Sequence, residues 1–219
     1  MLLGHHVPMP GPDGSLPRAD GDPAAADTDT GPGRLIGFSD GVLAVIITIT
    51  ALGLRPPDGT GFDSLVHRLP ALLIYILSFA YIGIYWNNHH HLFRATERID
   101  GAVMWANLHL LFWLSLIPVL TEWVGTDYHH ALPAAAYGVG ALGAAIAYAI
   151  LVRTILAANP PHSLVAEAIR GDFKGSVSVL VYAIGVGLAF LPIGPWLGYG
   201  CFALVAIVWL IPDRRLTTD

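Results

Sequence analysis

The sequence predicts an all-α polytopic membrane protein with six transmembrane helices per subunit, on three observations. Hydrophobic residues make up 54% of the 219-residue chain and charged residues only 12%, about half the roughly 25% that a soluble surface carries. The few charges are spaced so that stretches without Asp, Glu, Lys or Arg run for 25 residues at 69–93, 21 at 101–121, 25 at 128–152 and 38 at 175–212. About 20 apolar helical residues cross a bilayer. This balance argues against a soluble enzyme. A net charge of −5 leaves no basic footprint for nucleic acid, and the single Cys201 excludes an internal disulfide or a cysteine-based metal site.

Residues 1–33 are rich in Pro, Gly, Ala and Asp and have no periodic apolar pattern. Such a segment buries too little apolar surface to offset its ordering entropy, so a disordered tail is expected. The first span, 35–54, is interrupted only by Asp40. Three longer spans follow, at 69–93, 101–121 and 128–152. The stretch 175–212 is too long for one crossing and contains Pro192-Ile193-Gly194-Pro195, which predicts two short helices joined by a tight turn. The six-helix unit is therefore expected over 34–212, with 213–219 as a C-terminal tail.

Six spans put both termini on one side, together with the second–third and fourth–fifth connections. That side holds nine of the eleven basic residues, and Arg55 and Arg68 lie on the other. The positive-inside rule then places the termini in the cytoplasm. In the fourth span, Gly140, Gly143 and Ala144 form a small-residue stripe suited to close helix contact.

Polar residues inside the spans need partners. Asp40 lies six residues inside Arg34, about 9 Å deep at 1.5 Å rise per residue, and the angle between the two on a helix argues against pairing them with each other. A buried carboxylate costs roughly 2.5–3.5 kcal/mol even on the lenient insertion scale. The second span returns through Trp86-Asn-Asn-His89-His90-His91 to Arg94, and the third leaves the same interface near Gly101. Ser39 and Asp40, Trp86 and His89, and Asn107 are thus expected at one level. Either a buried cluster that sets helix register or a proton relay through Asp40 and His89 would use them. Consecutive histidines point 100° apart on a helix, so His89, His90 and His91 do not converge on one metal ion. Val45, Ile49 and Leu52 form an apolar stripe with Thr48 beside it, which pattern alone reads as a lipid-facing or packing stripe. Gly198-Tyr199-Gly200 echoes a potassium-channel filter but lacks the preceding Thr-Val and pore helix, so a helix start is expected there.

Arg34-x-x-x-Phe38-Ser39-Asp40 resembles the hallmark that opens the first helix in the transmembrane protein 175 family, the lysosomal potassium channel and its prokaryotic relatives. Trp86-x-x-His89-x-x-Leu92-Phe93 is similar to the end of that family's second helix. Asn107-Leu108, with Pro118 eleven positions after Asn107, is similar to its third. The resemblance covers roughly 34–212.

The resemblance implies a K⁺-selective, leak-type channel of the cell membrane. Members with one six-helix unit assemble as homotetramers, with the first helix of each subunit lining the pore. Apolar side-chain rings replace a carbonyl filter. By position, Val45 would form the narrowest ring, with Ile49 and Leu52 following and Thr48 as the polar ring beside them. The family usually carries a larger Ile or Leu where Val45 stands. Arg34, Phe38, Ser39, Asp40, Trp86, His89 and Asn107 would belong to the family motif and the network holding the pore helix. K⁺ would be the permeant ion, with no cofactor. The competing reading from the residues is a proton-coupled secondary transporter; an enzyme would need a nucleophile–base set that this chain lacks.

Overall fold

The structure is a computed structural model that describes residues 31–168 and 173–210. The two tails expected at the chain ends lie outside the described residues, except for 31–33, which already belong to the first helix. Among the described residues the chain is helices and their connections, without strands. The helices are α1 (Gly31–Leu52), α2 (Phe62–Arg94), α3 (Gly101–Ser115), α4 (Ile117–Asp127), α5 (Ala131–Ala158), the short α6 (Leu164–Ala168), α7 (Phe173–Leu188) and α8 (Gly194–Leu210).

Four stretches are long and apolar enough to cross a membrane: Gly33–Leu52, Phe62–Arg94, Gly101–Asp127 and Ala131–Ala158. The third consists of α3 and α4 together. They part at Leu116, where Pro118 at the start of α4 brings no backbone N–H. The sequence ended this span at 121 because Glu122 is charged, yet the helix runs on to Asp127. The stretch 175–212 divides as its Pro-Ile-Gly-Pro breaker predicts, into two shorter apolar helices. The turn between them needs glycine at 194, because a Cβ there would strike the Leu188 and Ala189 backbone. Gly198-Tyr199-Gly200 is helical, as expected, and Tyr199 donates to the Tyr128 carbonyl at 3.2 Å.

α5 is the centre of the bundle, packed by α3, α4, α7 and α8. Its small residues allow this. A Cβ on Gly143 would fall inside the Trp113 indole, and one on Gly140 would meet Leu120. The core between these helices includes Leu110, Leu114, Leu151 and Ile155, all fully enclosed. The hairpin between α2 and α3 is pinned at both edges. Asp100 caps α3 by accepting from Val103 N–H at 2.8 Å. Asn159, just past α5, accepts from the Glu97 and Arg98 amides and donates to the Arg98 and Ile155 carbonyls. That fixes the depth at which α2 ends and α3 begins.

Candidate functional site

α1 packs on α2, α3 and α4, and its two faces differ. Ser39, Leu43, Ile46 and Thr50, spaced by three or four residues, are buried against the bundle. The opposite face is open on the protomer: Val45 is 54% exposed, Ile49 49% and Leu52 83%. Arg34, Phe38, Gly41 and Thr48 lie on this open side too. Thr48 donates its hydroxyl hydrogen to the Val45 carbonyl at 2.8 Å. Its oxygen therefore presents lone pairs outward, the polarity a cation needs.

The buried face is held by polar bonds rather than by apolar packing alone. Ser39 and Asn107 are fully buried and His89 is 1% exposed. His89 Nε2 and Asn107 Oδ1 are 2.8 Å apart, Asn107 Nδ2 donates to Ser39 Oγ at 2.9 Å, and Ser39 Oγ donates to the Leu35 carbonyl at 2.9 Å. Asn107 thus links three helices, its carboxamide oxygen accepting from His89 when the ring carries its proton on Nε2, while His89 Nδ1 is buried without a partner among the described residues. Alongside, Trp86 Nε1–H donates to Asp40 Oδ1 at 3.0 Å, which supplies the partner that the depth argument demanded of Asp40.

The convergence expected of Ser39, Asp40, Trp86, His89 and Asn107 is therefore present. Arg34 and Phe38 stand apart from it. Arg34 is exposed and makes no hydrogen bond or ion pair among the described residues, and Phe38 is exposed as well. The helical repeat is the reason, since 34 and 38 share the face opposite to 39 and 43. The three consecutive histidines diverge: His89 turns to Asn107, His90 stacks on Trp86 with ring centroids 6.0 Å apart, and His91 is exposed.

Two further ties went unread in the sequence. Ser78 Oγ lies 2.7 Å from Thr121 Oγ1 and 3.0 Å from Tyr137 OH, a hydroxyl triad joining α2, α4 and α5. Arg55, just past α1, pairs with Glu122 on α4 at 3.0 Å, holding the far end of α1 to the bundle. A lone hydroxyl on a helix announces nothing, because it can always satisfy itself on the preceding turn. Glu122 did carry a signal, as an acidic residue within reach of a span.

Comparison with known proteins decides the family. Residues 34–118 match the family model described as endosomal/lysosomal potassium channel TMEM175. A protein named potassium channel from Chryseobacterium sp. (strain P1-3) is 50% identical over 84% of this chain and 95% of its own length. The chain belongs to the TMEM175 family. Another relative named potassium channel, from Streptomyces collinus, is 34% identical over 73% of this chain and 82% of its own. Among solved structures, the crystal structure of a lysosomal potassium-selective channel TMEM175 homolog from Chamaesiphon minutus superimposes with a TM-score of 0.72. It shares 28% identity and covers 85% of this chain and 98% of that one. The TMEM175 family is one of ion channels rather than enzymes. The TMEM175 match begins at Arg34 and takes in α1, α2, α3 and the break at Pro118, which are the elements that build the anchored helix.

Proposed function

We propose that this protein is a potassium-selective, leak-type cation channel, built as a homotetramer with α1 of each subunit around a common axis. The observation that carries this reading is the division of α1 into an anchored face and an open one. On the open face Val45, Ile49 and Leu52 are exposed together with Thr48, while Ser39 on the other is tied to Asn107. A helix held this firmly by one side presents the other in a fixed orientation. Four such faces would stack aliphatic collars along an axis. An apolar constriction admits an ion only as it sheds water, which favours K⁺ over Na⁺, the more tightly hydrated ion. Thr48 oxygens, with their hydrogens already given to Val45 carbonyls, would replace part of the lost hydration.

The same reading assigns 34–212 as a channel domain of six crossings, with 1–33 and 213–219 as cytoplasmic tails. It places the protein in the cell membrane, with the nine-to-two basic asymmetry supporting that orientation. A proton-coupled transporter gains no support from the geometry, because Asp40 bonds to Trp86 and His89 to Asn107 rather than to each other.

The test is ion flux into liposomes containing purified protein under opposed K⁺ and Na⁺ gradients. K⁺ passes in preference to Na⁺, without saturation and without a pH gradient. Folded, tetrameric protein that passes no cation would end the channel reading, and a monomer or dimer in sizing experiments would end the fourfold pore.

A further inference from the structure

Two polar side chains sit inside the apolar layer on open faces of the protomer. His109 on α3 and Asn87 on α2 are both exposed, eight residues in from Gly101 and seven in from Arg94. At 1.5 Å rise per residue, they lie about 12 and about 10 Å inside their spans. We propose that His109 of each subunit donates its Nδ1–H to the carboxamide oxygen of Asn87 of the partner subunit. The inference rests on the fourfold reading above and names a contact that joins its subunits.

The hydrogen bonds already made define what each group lacks. Trp113 Nε1–H donates to His109 Nε2 at 3.0 Å. An indole N–H is a donor only, so Nε2 is the acceptor of a neutral ring and the proton sits on Nδ1. That N–H meets no acceptor among the described residues. Asn87 is complementary, with no side-chain hydrogen bond among the described residues. Its Nδ2 can settle on a carbonyl one turn back, as Asn88 Nδ2 does on Ile84 at 2.9 Å. Its oxygen needs a donor from outside, because the N–H groups of a helix interior are already taken. Ser115, exposed in α3, has no such need, since its hydroxyl returns to the Phe112 carbonyl at 2.7 Å. Polar groups left bare to hydrocarbon are costly. Apolar neighbours such as Trp105, 75% exposed, rest equally well in lipid or against protein, so the two polar groups decide.

Their common level follows from a contact within the protomer. His89 on α2 meets Asn107 on α3 at 2.8 Å, and the two helices run in opposite directions. Asn87 and His109 are each two residues further from the α2–α3 connection, so they share a level. Rotation about an axis normal to the bilayer preserves level, so the match holds between subunits as well as within one. A closed ring sets one flank of a subunit against the opposite flank of the next. α2 and α3 both pack on α1, whose open face turns to the axis, and they supply these two flanks.

The experiment uses the full chain carrying Cys201→Ser, which removes the one native thiol, in membranes of the producing cells. Asn87→Cys and His109→Cys are introduced singly and together, and a short bis-methanethiosulfonate linker is added before denaturing, non-reducing gel analysis. The expected result is a ladder reaching four subunits for the double variant and monomer for each single one. Neither residue meets its own copy in a rotational ring. Asn87→Leu gives a second readout. It breaks no bond within the described protomer, so the fold persists, and the tetramer-to-monomer ratio in detergent falls about fivefold, the worth of one hydrogen bond. At a lipid-facing position the same change leaves that ratio unchanged or raises it, and that outcome overturns the proposal. So does the absence of linked bands in a double variant that still sizes as a tetramer, a result the fourfold channel reading survives. Wild-type protein that sizes as a monomer or dimer overturns both.

Discussion

Asn107 donates to the Ser39 hydroxyl at 2.9 Å across 68 residues of sequence, while its carbonyl oxygen takes the His89 ring nitrogen at 2.8 Å. One carboxamide thereby sets the rotation of α1 relative to both α2 and α3. In a bilayer, where apolar burial does little to drive helix against helix, such a bond carries more of the specification than it would in a water-soluble core.

Asn107→Leu is expected to strand His89 Nε2 and to cut the tie to Ser39, whose hydroxyl keeps its bond to the Leu35 carbonyl. Each buried polar group left unpaired costs about 1–3 kcal/mol, so a loss of about 2 kcal/mol or more is expected. Thermal melting in detergent, followed by tryptophan fluorescence, reads the effect. A melting temperature equal to wild type would mean that this cluster does not hold α1.

Arg34 and Asp40 sit on opposite sides of α1, so their variants should fail differently. Asp40→Ala removes the acceptor of Trp86 Nε1–H and is expected to lower the stability of the protomer itself. Arg34→Ala touches no partner within the described protomer and is expected to lower tetramer yield while leaving secondary structure intact. Cross-linking followed by gel analysis separates the two. Loss of folded protomer in Arg34→Ala with assembly preserved would contradict the division.

Thr48→Val keeps the shape of the side chain and deletes the lone pairs. K⁺-over-Na⁺ preference in liposome flux should fall with assembly unchanged. Ile49→Asn should both enlarge conductance and reduce selectivity, because a polar collar no longer demands dehydration. Flux ratios identical to wild type in both variants would move the constriction away from this face.

Gly143→Ala places a methyl where the Trp113 indole already lies. Overpacking of this kind costs about 1–3 kcal/mol, and a lower melting temperature is expected. Gly187→Ala is the control. Nothing stands within 4 Å of its added Cβ, and in a helix the change gains up to about 1 kcal/mol from reduced backbone freedom. Equal melting temperatures for the two variants would refute close contact between α3 and α5 at this point.

The depth of each polar residue was legible before any coordinates. Residues 39–40, 86–89 and 107 fall at a common level because every helix residue advances about 1.5 Å and the basic residues mark where each span ends. The break in 175–212 was legible too, since proline cannot donate to a helix ladder. The Ser78–Thr121–Tyr137 triad and the Asn159 staple were not, because each is assembled from residues some 40 to 60 positions apart whose types carry no local pattern.

By itself the sequence determined that this is a chain of apolar helices with a polar level near one end, and its motifs marked the family. Only the tertiary structure decided which way each helix turns: that Ser39 faces Asn107, that Arg34 and Phe38 face away from the bundle, and that Ser78 meets Thr121 and Tyr137. The physical reason is that protein-facing and lipid-facing sides of a membrane helix are both apolar. Composition therefore marks depth along the axis but leaves rotation about it to the packing of the neighbours.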